Sequence, residues 1–298
     1  MSTNKNDNST KRKFQFSEHM WISIFVLMLL YVFFNILATI ITLILTPAQQ
    51  PMSPITLTII LFACDALCFF LLVPLVLHLP DGKKDIPEYL KDIRVRSSQP
   101  IIHILALGLS CYFIYMLSQL LGSLIYGQYS FDIYRALPPN SWGLLESIPL
   151  VFFEEILMRG LILTLLLKKY LEKQSILISA AIFGSYHILN LLNYVPSVSY
   201  ETLKWTLGSM VWAFIIGLFY SYTFIKTKSL LPCIIVHYLS NTLINLWVFL
   251  PAATVEIHVL YGIIFGEGII PTALSILWVK FYTDRWLPVS EGGNYLNT

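Results

Sequence analysis

Residues 21–45 read WISIFVLMLLYVFFNILATIITLIL, a run of 25 without one charged side chain. At ~1.5 Å of rise per residue, such a run makes a helix long enough to cross a hydrocarbon layer about 30 Å thick. It is too long for the apolar part of a cleaved export signal, which is about 7–15 residues and closes on small side chains. It is read as an uncleaved first span. Seven more apolar runs follow, at about 55–79, 101–126, 144–167, 175–195, 205–225, 229–250 and 257–281. They are rich in Leu and Ile and lack the strict alternation of barrel strands. The fold class is therefore all-α, a polytopic transmembrane helix bundle of about eight spans.

The composition agrees. Apolar residues make up 56% of the 298 and charged residues 12%, with a mean hydropathy of +0.70. Soluble globular chains carry roughly 25% charged residues. A water-soluble enzyme and a disordered scaffold are excluded, and a net charge of +2 is too small to suggest nucleic acid as a partner. Cys64, Cys68, Cys111 and Cys233 all lie inside apolar runs with no CxxC spacing, so neither disulfides nor a sulfur-ligated metal is expected.

Lysine and arginine set the orientation, because short cytoplasmic loops carry them in excess. Lys5, Lys11, Arg12 and Lys13 precede the first span, and Lys83, Lys84, Lys91, Arg94 and Arg96 follow the second. Lys168, Lys169 and Lys173 follow the fourth, Lys226 and Lys228 the sixth, and Lys280 and Arg285 the last. Those sixteen fall on one side; Arg135 and Lys204 fall on the other. Both termini are thus expected in the cytoplasm, in an integral multi-pass protein of the cell membrane. The segments are a cytoplasmic tail (1–20), N-terminal membrane helices (21–143), a polar-bearing membrane core (144–250), and a last helix with a cytoplasmic tail (251–298). Within the second segment, 80–100 contains DIPEYLKDIRV, read as a short amphipathic helix on the cytoplasmic surface. Residues 127–143 are assigned to the outer interface. Pro74, Pro149, Pro232 and Pro271 fall inside spans, where they are expected to bend the helix.

Ionisable side chains at bilayer depth cost about 2.5–3.5 kcal/mol each on insertion scales, and so mark functional sites. The fourth span carries FFEEILMRG (152–160), the fifth FGSYHILN (183–190) and the seventh HYLSN (237–241). Glu154 lies fourteen residues before Lys168, and His187 fourteen after Lys173, each ~21 Å from the inner end. His237 and Asn241 lie ~14 and ~20 Å in from Lys228. Groups from three helices share one slab, as a common site requires. Glu155 and Arg159 have the i,i+4 ion-pair spacing, and an arginine inside a membrane needs a fixed anion. Glu154 points about 100° away from Glu155 and is left to act as a general base, with His187 sharing its proton traffic. His237 and Asn241 offer donors on adjacent turns of one face, which suits a developing oxyanion. Asp65, alone in the second span, reads as a packing or cavity-lining group, and Glu267, between two glycines, as a further candidate lining residue.

EExxxR, FxxxH and HxxxN, in this order on polar-bearing membrane helices, resemble the signature of the CAAX-protease and bacteriocin-processing (CPBP, or Abi) family. These are intramembrane proteases related to the type II CAAX prenyl endopeptidase, and the resemblance covers about residues 145–245. It implies that Glu154 activates water with His187 as its partner, and that His237 and Asn241 stabilise the transition state. Glu155 and Arg159 then support the first motif. The implied reaction is hydrolysis of a peptide bond in a membrane-associated peptide or protein, with pheromone or bacteriocin maturation or self-immunity as associated roles. A metal-dependent variant would use Glu154, His187 and His237 as a zinc-like ligand set with an open position; a metal-free glutamate mechanism is the expectation. The competing class is a non-catalytic bacteriocin-immunity or transport protein in the membrane. A transporter is expected to show paired broken helices and an internal repeat, and no such repeat is evident.

Overall fold

The computed structural model describes residues 15–46, 54–82, 85–95, 99–126, 130–131, 142–194, 197–243, 247–248, 259–266 and 268–287. Lys5–Lys13, Lys83, Lys84, Arg96, Arg135 and Glu267, named above, lie outside these residues.

Lipid offers no hydrogen bonds, so each apolar run must satisfy its backbone internally, as a helix does. The first run forms α1 (Met20–Leu45). One stripe of it, including Leu27, Tyr31, Ala38 and Thr42, is fully buried, while Phe25, Phe33, Leu43 and Ile44 face outward. Next come α2 (Pro54–Leu67), which continues as a π-helical stretch Cys68–Leu77 around Pro74, then α3 (Ile86–Asp92) and α4 (Ile101–Tyr126). α5 (Trp142–Glu155) also passes into a π-helical stretch, Ile156–Leu163, and ends in the turn Thr164–Leu167. α6 (Glu172–Tyr186) tightens into a 3₁₀ segment, His187–Tyr194. α7 (Tyr200–Thr227), α8 (Leu231–Leu243) and α9 (Ile269–Trp286) complete the described helices.

Among the described residues, six helical segments are long and apolar enough to cross a membrane: Met20–Leu45, Ile55–Leu77, Ile101–Ile125, Glu172–Leu192, Tyr200–Thr227 and Val259–Trp286. The other two expected spans correspond to α5 and α8, which carry the ionisable groups. Those two pack against each other, with α2 on α5 and α4 on α8. The arrangement follows from cost: apolar helices can face lipid, whereas helices bearing charge need protein around them. Every residue from Ile156 to Leu163 is buried.

Two expectations change. The seventh span does not run as helix to residue 250. α8 ends at Leu243, and Trp247–Val248 pair antiparallel with Ser130–Phe131. Aromatic and β-branched side chains favour such a pairing once a partner strand is at hand. In the 80–100 loop a helix does form, with Asp85 Oδ1 accepting from the Glu88 amide at 2.9 Å as an N-cap. Its apolar face, however, enters the end of the bundle: Tyr89 and Ile93 are fully buried.

Polar pairs and small residues fasten the helices where apolar contact alone gives no preference over lipid. Trp278 Nε1 donates to Ser110 Oγ at 2.7 Å, and His103 Nδ1 lies 3.0 Å from the Tyr282 hydroxyl, stitching α4 to α9. α6 meets α7 at Gly184 and Gly217. A Cβ on Gly184 would lie 2.7 Å from the Met210 carbonyl oxygen and 2.9 Å from Phe214 Cβ, and one on Gly217 3.2 Å from Ala180 Cα. Backbone cannot yield as a flexible side chain can, so Gly184→Ala should destabilise the protein by about 1–3 kcal/mol. Gly266→Ala, where the nearest atom is 3.9 Å away, should leave stability unchanged. Thermal unfolding of both variants in detergent micelles checks the contrast.

Candidate active site

α5 delivers Glu154 and Glu155 on neighbouring faces. Glu155 turns inward and is 0% exposed, while Glu154 retains 8%. One turn on, Arg159 is also 0% exposed, and its Nη1 donates to Glu155 Oε1 at 3.0 Å. From α8, His237 Nδ1 lies 2.8 Å from the same oxygen. A carboxylate oxygen accepts, so Nδ1 carries the proton of that bond. The other ring nitrogen, Nε2, is 3.7 Å from Glu154 Oε2. His237 therefore lies between the two glutamates, fixed by one and facing the other.

Aromatic rings from α6 and α7 surround this core. The Arg159 guanidinium sits 4.4 Å from the centroid of Phe183 and 4.9 Å from that of Tyr220. Cation–π contacts of this kind are worth about 2 kcal/mol or more when desolvated. Tyr220 also stacks on His237, at 5.3 Å between centroids and 23° between planes. Arg159 Nε and Nη2 make no hydrogen bond within the described residues; the rings stand in for acceptors. The π-helical winding of α5 begins directly after Glu155, and Thr164 Oγ1 donates to the Arg159 carbonyl oxygen at 3.4 Å, five residues back. Such windings recur at functional sites because they re-aim side chains.

His187 closes α6. Its Nδ1 lies 3.0 Å from the Phe183 carbonyl oxygen. A carbonyl can only accept, so the proton is on Nδ1 and Nε2 is left as an acceptor. The ring meets Phe183 edge-on at 4.9 Å and lies within electrostatic reach of His237 and Arg159. Asn241, one turn past His237, is exposed at the rim. Asp65 belongs closer to the site than its sequence suggests. It is 1% exposed, accepts from Asn35 Nδ2 at 3.4 Å, and lies within electrostatic reach of Glu154, Tyr31 and Tyr186. Phe62 and Phe69 of α2 flank Phe153 at 5.4 and 5.6 Å, and Asp65 lies between them on the same helix face, next to the backbone that bears Glu154.

The zinc alternative needs Glu154, His187 and His237 around one point. Among the described residues no group of three or more His, Cys, Asp or Glu side chains is so gathered. Two participants escape sequence reasoning. Tyr220 carries no signal, being one tyrosine among seventeen. Asp65 carried a signal, its charge inside a span, but only the packing of α2 on α5 gives it a neighbour.

Removing one partner of a buried ion pair strands the other charge, at a cost of about 3–5 kcal/mol. Arg159→Ala should lose stability on that scale. Arg159→Lys should fall between it and wild type, since an ammonium keeps the charge but not the planar stacking on Phe183 and Tyr220. Denaturant unfolding of purified, detergent-solubilised variants reads the order; equal stability for Arg159→Ala would contradict it.

Comparison with known proteins bears on the same helices. No curated protein and no solved structure matches the chain. One family model does, that of "Type II CAAX prenyl endopeptidase Rce1-like", over residues 138–243. The matched stretch contains Glu154, Glu155, Arg159, His187, His237 and Asn241, and leaves α1 to α4 and α9 outside. The family resemblance carried by EExxxR, FxxxH and HxxxN is supported by this match, which contains all three motifs.

Proposed function

We propose that the protein is an intramembrane endopeptidase that hydrolyses a peptide bond of a membrane-associated peptide or protein, with Glu154 as general base. The observation that carries this reading is the 3.7 Å separation of Glu154 Oε2 and His237 Nε2. Two hydrogen bonds of about 2.8 Å close a triangle over such a gap, so a single water can contact both groups. Glu154 takes a proton from that water as it attacks the scissile carbonyl, and later returns it to the leaving amine. His237 is oriented by Glu155, which is itself held by Arg159. With both nitrogens protonated, its Nε2–H donates to the developing oxyanion, and the Asn241 amide does so from the next turn. His187, with its proton fixed on Nδ1 by the Phe183 carbonyl oxygen, offers Nε2 as an acceptor on the α6 side. The termini lie in the cytoplasm on the distribution of lysine and arginine. Maturation of a peptide pheromone or bacteriocin, or self-immunity, is the role in which such an activity would serve.

The mechanism needs no metal. Activity in washed membranes should survive EDTA and 1,10-phenanthroline; loss that added zinc restores would transfer Glu154, His187 and His237 to a ligand role. Glu154→Gln keeps shape and volume while removing the base, and should lower turnover by about 10²–10⁴-fold at unchanged membrane abundance. Comparative peptidomics of cells expressing wild type or Glu154→Gln reads this directly. Peptide ends made only by wild type are expected. Identical peptide sets, with any immunity phenotype intact in both, would favour a non-catalytic binding or transport protein.

A further inference from the structure

Tyr220 carries no group in the proton transfers, yet α8 takes hold of it twice. It is fully buried on α7. Cys233 Sγ donates to its carbonyl oxygen at 3.3 Å. Four residues further along α8, His237 lies against its ring, with 5.3 Å between centroids and 23° between planes. Residues spaced i,i+4 share one face of a helix, so the thiol and the imidazole engage Tyr220 from the same side of α8. A thiol is a weak donor; what this one fixes is register. It sets the height at which α7 and α8 meet, and with it the overlap of the two rings.

The freedom left to His237 is in its plane. Glu155 Oε1 holds Nδ1 at 2.8 Å, and one hydrogen bond fixes a point rather than a plane. The torsion that turns an imidazole has broad, roughly two-fold minima, so the side chain alone does not stop Nε2 from swinging. Two aromatic rings do. Tyr220 lies close to parallel with the imidazole, and Phe183 meets it edge-on, at 6.1 Å and 80°. Stacked and T-shaped arrangements at such spacings are the ones that aromatic rings prefer.

Arg159 ties these rings together, since its guanidinium lies 4.4 Å from the Phe183 centroid and 4.9 Å from that of Tyr220. The cation that neutralises Glu155 thus also anchors what flanks His237. Gly217 brings the rings within reach. It lies one turn before Tyr220, and a Cβ there would sit 3.3 Å from Phe183 Cδ1.

We propose that Tyr220 is a positioning residue: its ring holds the plane of His237 and so keeps Nε2 aimed at Glu154. The catalytic consequence rests on the protease reading; the ordering of the imidazole does not. The working part is the flat face of the ring and not its hydroxyl. A side chain of similar bulk without a plane leaves the Glu155–His237 bond in place but lets the far nitrogen wander.

Proton NMR of the full chain in detergent micelles, with isotope-labelled histidine, reads the imidazole directly. The His237 Nδ1 proton is identified by its loss in His237→Gln. In Tyr220→Met that proton should exchange faster with water than in wild type, and the His237 ring protons should lose the shift imposed by a stacked ring. At equal membrane abundance, formation of the Glu154-dependent peptide ends should fall by about 10–10²-fold, the scale of a misplaced catalytic group. Tyr220→Phe keeps the ring and should match wild type in both readouts. Phe219, the neighbouring buried ring, packs on Tyr115 of α4 at 5.7 Å; Phe219→Met removes a ring from the same helix and should change neither readout. Tyr220→Leu repeats the test should the methionine variant fail to accumulate. An unchanged Nδ1 proton in Tyr220→Met overturns the proposal. Equal losses in Tyr220→Phe or in Phe219→Met also overturn it, by assigning the effect to the hydroxyl or to packing in general. Absence of Glu154-dependent ends in wild type would remove the protease reading, and the proton comparison would still decide whether Tyr220 orders His237.

Discussion

One carboxylate oxygen organises this protein. Glu155 Oε1 accepts from Arg159 at 3.0 Å and from His237 at 2.8 Å, in a place with no measurable exposure. A charge there is tolerable only because it is shared: by a guanidinium on its own helix, an imidazole from α8, and rings from α6 and α7 that face the guanidinium. Remove the oxygen and three further consequences follow. Arg159 loses its anion, His237 loses the bond that aims Nε2 at Glu154, and α5 keeps only the Tyr238 hydroxyl on the Leu144 carbonyl oxygen as a hydrogen bond to α8 among the described residues. The pair of glutamates thus divides the work. The inner one orders Arg159 and His237, and the outer one, slightly exposed, faces His237 Nε2.

The same economy explains why so much of the molecule is plain. α1, α4 and α9 are apolar helices with outward faces of Leu, Ile and Phe, and they shield helices that could not stand in lipid alone. α6 and α7 approach closely at Gly184 and Gly217, where Phe183 must come near Arg159. Small residues there are less about flexibility than about distance: a ring has to meet a cation at 4.4 Å, and a methyl group in the seam would push it away.

Much of this is legible in the sequence, and the limits are physical. Helix positions follow from apolar runs, because lipid leaves the backbone no alternative. The Glu155–Arg159 contact follows from i,i+4 spacing, since both residues sit on one helix. Contacts between helices do not follow in that way. Asp65 reads as isolated because its neighbours come from α1, α5 and α6, and Tyr220 reads as any buried aromatic. The π-helical turns of α2 and α5 shift hydrogen bonds by one residue without a sequence mark. For the α3 segment, the pattern of Ile86, Tyr89, Leu90 and Ile93 shows which face is apolar, but not whether lipid or protein covers it. α8 ends early because Trp247 and Val248 find a strand partner more than a hundred residues upstream.

His237 lies 82 residues after Glu155 in the chain, and that interval matters during synthesis. At about 5–20 residues per second, α5 exists for roughly 4–16 s before its histidine is made. Throughout that time two glutamates and an arginine sit in a helix whose partner for Glu155 on α8 does not yet exist. The Glu155–Arg159 bond, made within the helix itself, is the only neutralisation available so early. The order of the helices along the chain, with the charged one first and its partner late, means that the site cannot be complete until α8 has been made.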